Sequence, residues 1–257
     1  MDRIVVNQSE WGQIRVTGVD RLRFLQGMVS NDVAALAPGG FCRATILNVK
    51  GRVQAIVDVV ADVVAGEESF LVLTEAVTAD KVHRILDLHA IADDVAFARE
   101  ARPMHRVWAT PADVWTAAPI FDGAAAEGDA EVRRVEAGMP RYGVDVSEDN
   151  FPFEANLDAA LSYTKGCYTG QEVVARASAR GHANKRLVGL RLPAVVPPGT
   201  TLGAAARADA GVVTSSVASP VFGPIALAYL HKSVWTPGTT VRAGEHEGVV
   251  TALPFVD

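Results

Sequence analysis

Cysteine is scarce in this chain: Cys42 and Cys167 are the only two among 257 residues. They lack metal-ligand spacing, which argues against a structural zinc site. Two isolated thiols suit a reducing compartment, with a Cys42–Cys167 disulfide as the alternative. The six histidines show no ligand spacing either, so no metal site is expected. Long apolar runs are also missing. The most apolar stretch, Ala55 to Ala65, is broken by Asp58 and Asp62 and is too short and too charged to cross a bilayer. The start, Met1-Asp2-Arg3-Ile4, lacks a basic segment followed by an apolar one. No signal peptide is therefore expected, and the expected location is cytoplasmic, away from membranes. Positive charge is in deficit. A formal net charge of −6 gives no overall field that would draw nucleic acid. The G-x-S-x-G, H-E-x-x-H and P-loop motifs are absent.

Hydrophobic residues make up 49% and charged residues 21%, as in ordinary folded proteins. The length suffices for one large domain or two smaller ones. Ile14 to Thr17 reads as a strand end, and Asp20 is placed to cap a short helix bearing Leu22, Leu25 and Met28. Ala44 to Val49 and Val53 to Val60 form a hairpin across Lys50-Gly51. Phe70 to Thr74 predicts a strand and Val77 to Leu88 an amphipathic helix. Val95 to Phe97 and Arg106 to Trp108 predict strands, and Ala109 to Gly128 a loop or a worn-down element. Beyond Arg186 the runs are short and β-like, separated by Pro197-Pro198-Gly199, Pro220 and Pro237-Gly238. This predicts an α+β domain over 1–186 followed by a small β-barrel over 187–257.

Chemistry concentrates in Lys165-Gly166-Cys167-Tyr168-Thr169-Gly170-Gln171-Glu172. Thr169 and Glu172 have capping-box spacing, so a helix should follow with Cys167 just outside its N-terminus. Unpaired N–H groups there, with Lys165 and Arg176 or Arg180 beside them, favour a thiolate. Residue type alone leaves Cys167 open between a reactive thiol and a small buried residue; for Cys42 the buried reading is the stronger. Glu154, among Phe151, Pro152 and Phe153, suits the donor edge of a heterocycle, but residue type alone favours a surface or helix-start carboxylate. Arg176, Arg180, Lys185 and Arg186 suit an anionic ligand or, as charge runs commonly do, a solvated face.

The octapeptide matches the K-G-C-[FY]-x-G-Q-E signature of the YgfZ family of folate-binding proteins. Further segments agree in order: Gly18 to Asp32, Leu47 to Arg52, Glu136 to Pro140, Arg180 to Arg186, and Gly211 to Tyr229. The chain thus resembles that family from about Trp11 to Pro254. The resemblance implies ferredoxin-like α+β units around a folate pocket, with a carboxy-terminal barrel shared with the glycine-cleavage T-protein. It implies a bound tetrahydrofolate or derivative. It also implies a role in assembling or repairing iron–sulfur clusters, with assembly proteins or client enzymes as partners and an indirect link to tRNA thiolation. Cys167 and Lys165 match the signature and carry the expected chemistry. Trp11, Glu154, Tyr168, Arg176 and Arg180 are the expected folate contacts. No second tryptophan stands near Arg133, where the family has one.

The competing reading is the aminomethyltransferase itself. That enzyme needs an aspartate after its hairpin, and Gln54 and Ala55 occupy the positions here. Neither can act as a base, which removes a contribution of ~10²–10⁴-fold. Asp58 lies an odd number of residues from Ala55 and so on the opposite face of the strand. A protein-binding scaffold with a vestigial pocket, and direct RNA binding through Arg176 to Arg186, are the remaining readings.

Overall fold

The computed structural model describes residues 4–108, 114–116, 127–179 and 183–255. The chain divides into two units, Met1–Ala126 with Asp158–Ala175, and Glu127–Leu157 with Arg176–Asp257.

The first unit holds β1 (Ile4–Asn7), β2 (Gly12–Thr17), α1 (Arg21–Met28), β3 (Phe41–Leu47), β4 (Val53–Val64), β5 (Glu67–Thr74), α2 (Ala79–His89), β6 (Ala96–Glu100), β7 (His105–Trp108) and β8 (Val114–Thr116). Five strands pair antiparallel in the order β3-β4-β5-β2-β6, and β1-β7-β8 make a smaller sheet. Alternation along β4 sorts the larger sheet into two faces. Ala55, Val57 and Val59 enter a core with Ile14, Val16 and Val72. The helices α1 and α2 close this core through Leu25, Met28, Val82 and Leu86, spaced one turn apart as an amphipathic helix requires. Val60 and Asp58 belong to the other face, where Val60 packs with Leu71, Leu73, Met104 and Trp115.

The predicted hairpin is present. Asn48 stabilises its turn by accepting hydrogen bonds on Oδ1 from the backbone N–H groups of Lys50, 2.9 Å, and Arg52, 3.1 Å. One local expectation needs correction. Asp20 precedes α1 without capping it by a side-chain hydrogen bond; its Oδ2 accepts instead from the Asp94 N–H at 2.9 Å, tying the helix start to the chain before β6. Most of 109–128 lies outside the described residues, but Val114–Thr116 is a strand and a helix begins at Glu127.

The second unit contains that helix, α3 (Glu127–Glu136), and six strands: β9 (Lys185–Arg191), β10 (Thr201–Ala204), β11 (Arg207–Ser219), β12 (Gly223–His231), β13 (Thr240–Ala243) and β14 (His246–Thr251). They close into the expected barrel, in the order β10-β11-β12-β9-β14-β13. Val188, Leu190, Val213, Ala226, Ala228 and Val250 fill it. Glycine is required where strands crowd: a Cβ at Gly211 would lie 1.9 Å from the Tyr229 carbonyl oxygen. Buried Glu136 accepts from Ser219 Oγ at 2.6 Å, joining α3 to the barrel wall. Arg134 donates to Asp145 at 2.6 Å and to Ser215 Oγ at 2.7 Å. A last helix, α4 (Gln171–Ala179), contains the point where the first unit gives way to the second. Among the described residues, no helix is long and apolar enough to cross a membrane.

Candidate functional site

The signature segment is fixed to the first unit by its own residues. Lys165 Nζ donates to the carbonyl oxygens of Val29 and Asn31, both at 2.7 Å, and lies 5.2 Å from the centre of the Tyr168 ring. Burial lowers this ammonium to about 8, against the opposing pull of Asp32 and Cys42. The Ser162 N–H donates to the Ser30 carbonyl at 2.8 Å, and Ser30 Oγ donates to the Ala160 carbonyl at 2.6 Å. At the other end, Gly170 has a φ of +81°, and a Cβ there would lie 2.6 Å from the Asn48 carbonyl oxygen and 3.1 Å from Gly51 Cα. Only glycine lets the segment settle against the β3–β4 turn.

The Val174 N–H donates to the Gly170 carbonyl at 3.1 Å, so α4 is capped at Gly170 rather than at the predicted Thr169. The positive φ needed for close approach moves the cap one residue on. Between these anchors Cys167 is exposed. That removes the buried-residue alternative for this thiol. Cys42 is the reverse case: half-buried, its thiol is pushed up to about 12 by burial and by Asp58.

The aromatic face of the large sheet supplies the second part of the site. Trp11, just ahead of β2, packs against Trp115 with ring centres 5.4 Å apart and planes tilted by 58°. Trp115 is held from behind, its Nε1–H donating to Asp58 Oδ2 at 3.1 Å. Asp58 is fully buried and also accepts two bonds from Arg43, 2.9 and 3.1 Å, and one from Arg106 at 3.3 Å. Burial alone would raise this carboxyl, but the charges of Arg43 and Arg106, with the bonds from Arg43 and Trp115, hold it below its ordinary value. The Arg106 guanidinium lies 5.8 Å from the centre of the Trp115 ring and 5.9 Å from that of Phe41. Asp58 is therefore an anchor for an aromatic cluster, with its acceptor positions occupied.

Strand register places Trp11 and Gln54 at one end of this sheet. Thr74 pairs with Val57 on one side and Gly12 on the other, so Trp11 shares a row with Ile56, and Gln54 stands two residues beyond. Gln54 is also the residue skipped in the ladder, since Ile46 pairs with Ala55 and Leu47 with Val53. Such a bulge leaves its extra residue outside the ladder and re-aims its side chain. Two buried amide atoms here have no hydrogen-bond partner among the described residues, Gln54 Nε2 and Gln8 Oε1; the Gln8 carbonyl accepts from the Trp11 N–H at 3.0 Å.

Glu154 and Arg176 belong to the second unit. Glu154 is buried in the short turn Pro152–Ala155, where its Oε2 accepts from the Phe151 N–H at 2.9 Å. Arg176 is exposed on α4. Arg180 lies outside the described residues.

Residues 185–257 match the family of the glycine cleavage T-protein C-terminal barrel domain. An aminomethyltransferase from Saccharopolyspora erythraea is 39% identical over 130 residues, covering 48% of this chain and 35% of that protein. The chain thus spans about a third of that relative's length. A tRNA-modifying protein YgfZ from Hamiltonella defensa is 24% identical over 71% of this chain and 68% of its own. The crystal structure of the glycine cleavage system aminomethyltransferase T from Bartonella henselae superposes with a TM-score of 0.82 at 19% identity, covering 99% of this chain and 86% of that one. The chain is thus similar in sequence to aminomethyltransferases and to a YgfZ protein, and it shares the aminomethyltransferase fold.

The site residue that sequence reasoning misses is Trp115. It sits in a segment predicted to be a loop or a worn-down element, and only the sheet register brings it onto Trp11. An aspartate inside the apolar run Val53 to Val60 is the available signal, since a carboxylate buried there demands donors. Sequence alone marks Gln54 for what it lacks as a base, not for its unpartnered amide.

Proposed function

We propose that this chain binds a reduced folate and acts in the assembly or repair of iron–sulfur clusters, supporting tRNA modification indirectly and not transferring aminomethyl groups. The observation that carries this reading is the fate of the one carboxylate near the enzyme's base position. Asp58 spends its oxygens on Arg43, Arg106 and Trp115, so it cannot act on a folate nitrogen, and Gln54 and Ala55 offer no substitute.

The residues present suit a folate. Trp11 offers a large, partly exposed aromatic surface beside a buried amide oxygen that lacks a donor, which fits a flat heterocycle with hydrogen-bonding edges. Trp11 would stack on the ring, Gln8 would accept from it, and Trp115 would keep Trp11 in place. Glu154, Tyr168, Arg176 and Arg180 are proposed as further contacts on the strength of the family motif. The folate would supply a one-carbon unit or a reduced ring; the exposed Cys167 thiol, held by Lys165 and Gly170 ahead of α4, would meet the cluster, the folate adduct or a partner thiol. The proposed setting is cytoplasmic, with assembly proteins or client enzymes as partners. The organisation proposed for the whole chain is a folate-binding domain over 1–186 followed by the barrel over 187–257.

Complementation tests the reading. In a host lacking its own copy, the wild-type gene should restore an iron–sulfur enzyme and tRNA thiolation, and Cys167→Ala should not. Failure of soluble wild-type protein to restore either activity would sink the proposal. Release of ammonia from an aminomethyl-carrier substrate at enzymatic rates would favour the transferase instead.

A further inference from the structure

We infer that the Gln54 amide reads a carbonyl oxygen on the bound folate, so that this site selects a formylated reduced folate over a methylated one. The inference rests on the folate reading above and adds which one-carbon unit is preferred.

Three observations carry it. Gln54 Nε2 is buried without a hydrogen-bond partner among the described residues, and a buried donor of this kind is rarely left unsatisfied in a working protein. Gln54 is the bulged residue of β4, beyond the end of β5, so no strand covers it on that side. Ile56, two residues on, shares its row with Trp11, so Gln54 stands at the sheet end that carries Trp11 and Trp115. From strand spacing and rise, Trp11 and Gln54 lie about 12 Å apart along the sheet end, two strands over and two residues on. One bicyclic ring stacked at Trp11 and carrying a substituent can reach both.

The chemistry then discriminates. An amide N–H needs an acceptor and cannot remove a proton. Among one-carbon units, a formyl group presents a carbonyl oxygen, whereas methyl and methylene groups present none. A methylated ligand would leave Gln54 Nε2 desolvated and unpaired, which is the costly side of the hydrogen-bond balance.

Equilibrium binding tests this with 5-formyl-, 5-methyl- and unsubstituted tetrahydrofolate on the full chain. Wild type should hold the 5-formyl form roughly tenfold more tightly than the 5-methyl form, the size of one neutral hydrogen bond with its desolvation. Gln54→Leu should erase that ratio, by weakening the 5-formyl form and by removing the unpaired amide that penalises the 5-methyl form. Gln54→Glu, which keeps the shape but presents oxygens, should also erase it and guards against a folding artefact in the leucine variant. Equal affinities in wild type, or a ratio that survives both substitutions, would overturn the inference while leaving folate binding intact. Binding of none of the three ligands would instead overturn the folate reading itself, and this assignment with it.

Discussion

At position 58 a single carboxylate takes hydrogen bonds from two arginines and one tryptophan inside an otherwise apolar layer. Removing it strands both guanidinium groups. Asp58→Ala should therefore cost about 3–5 kcal/mol of stability, as for other broken buried ion pairs. Urea unfolding would measure this, and a loss near zero would refute the anchoring role. The exposed Cys167 behaves differently: Cys167→Ala should change stability by no more than about 0.5 kcal/mol, so that its effect in complementation can be read as function. Lys165 makes a third case. Its ammonium titrates near 8 instead of 10.5 because burial disfavours the charge. A proton lost more readily in the folded state makes stability rise with pH between those two values, by an amount that partial exposure keeps small. In ¹³C NMR of reductively methylated protein, one lysine resonance should move near pH 8 and vanish in Lys165→Arg. Of these three roles only the cysteine's is legible in the sequence. An arginine at 106 and a tryptophan at 115 carry no mark of partnership with an aspartate at 58 until the smaller sheet is laid on the larger one.

Local elements are legible where local chemistry decides them. The Asn48–Arg52 turn and the helix over Ala79–His89 follow from turn residues and apolar spacing. The cap of α4 falls one residue beyond its predicted place, because T-x-x-E spacing is a local signal and the reason for the glycine is not. Gly170 is needed by the β3–β4 turn, distant in sequence, which its Cβ would strike. Gly170→Ala should accordingly dislodge the Cys167 segment. The combination of a clash and a left-handed φ costs on the order of 1–3 kcal/mol, and limited proteolysis should cut first between Gly166 and Gln171. A variant as resistant as wild type would show that the turn can give way. The helix α3 escapes a sequence reading because it lies beside a stretch rich in alanine and glycine, where periodicity is weak. What holds it is buried pairing, Arg134 with Asp145 and Glu136 with Ser219, which no window of sequence displays.

Across the whole molecule the fold class and the barrel are visible in advance, since strand-length runs with regular Gly and Pro breaks leave few architectures. The two units share one electrostatic habit. Asp58 and Asp62 in the first and Glu131 in the second are held below their ordinary values by arginines that outweigh the opposing effect of burial. Carboxylates lowered in the folded state stabilise it above their unfolded values, and that stability disappears as the pH falls through the folded ones. The protein should therefore keep its stability down to about pH 5 and lose it steeply below about pH 4. Circular dichroism against pH would show this, and native signal persisting to pH 2 would contradict it. The barrel's pairing order has one more consequence. Lys185 on β9 meets His231, and Gly189 meets Thr251, so β9 has no neighbour on either edge until β12 and β14 have been made. Refolding of this part is then governed by closing long loops and should be slow for its size. A chain interrupted before His246 would display two bare strand margins, on β9 and β13, and would stick to its own kind.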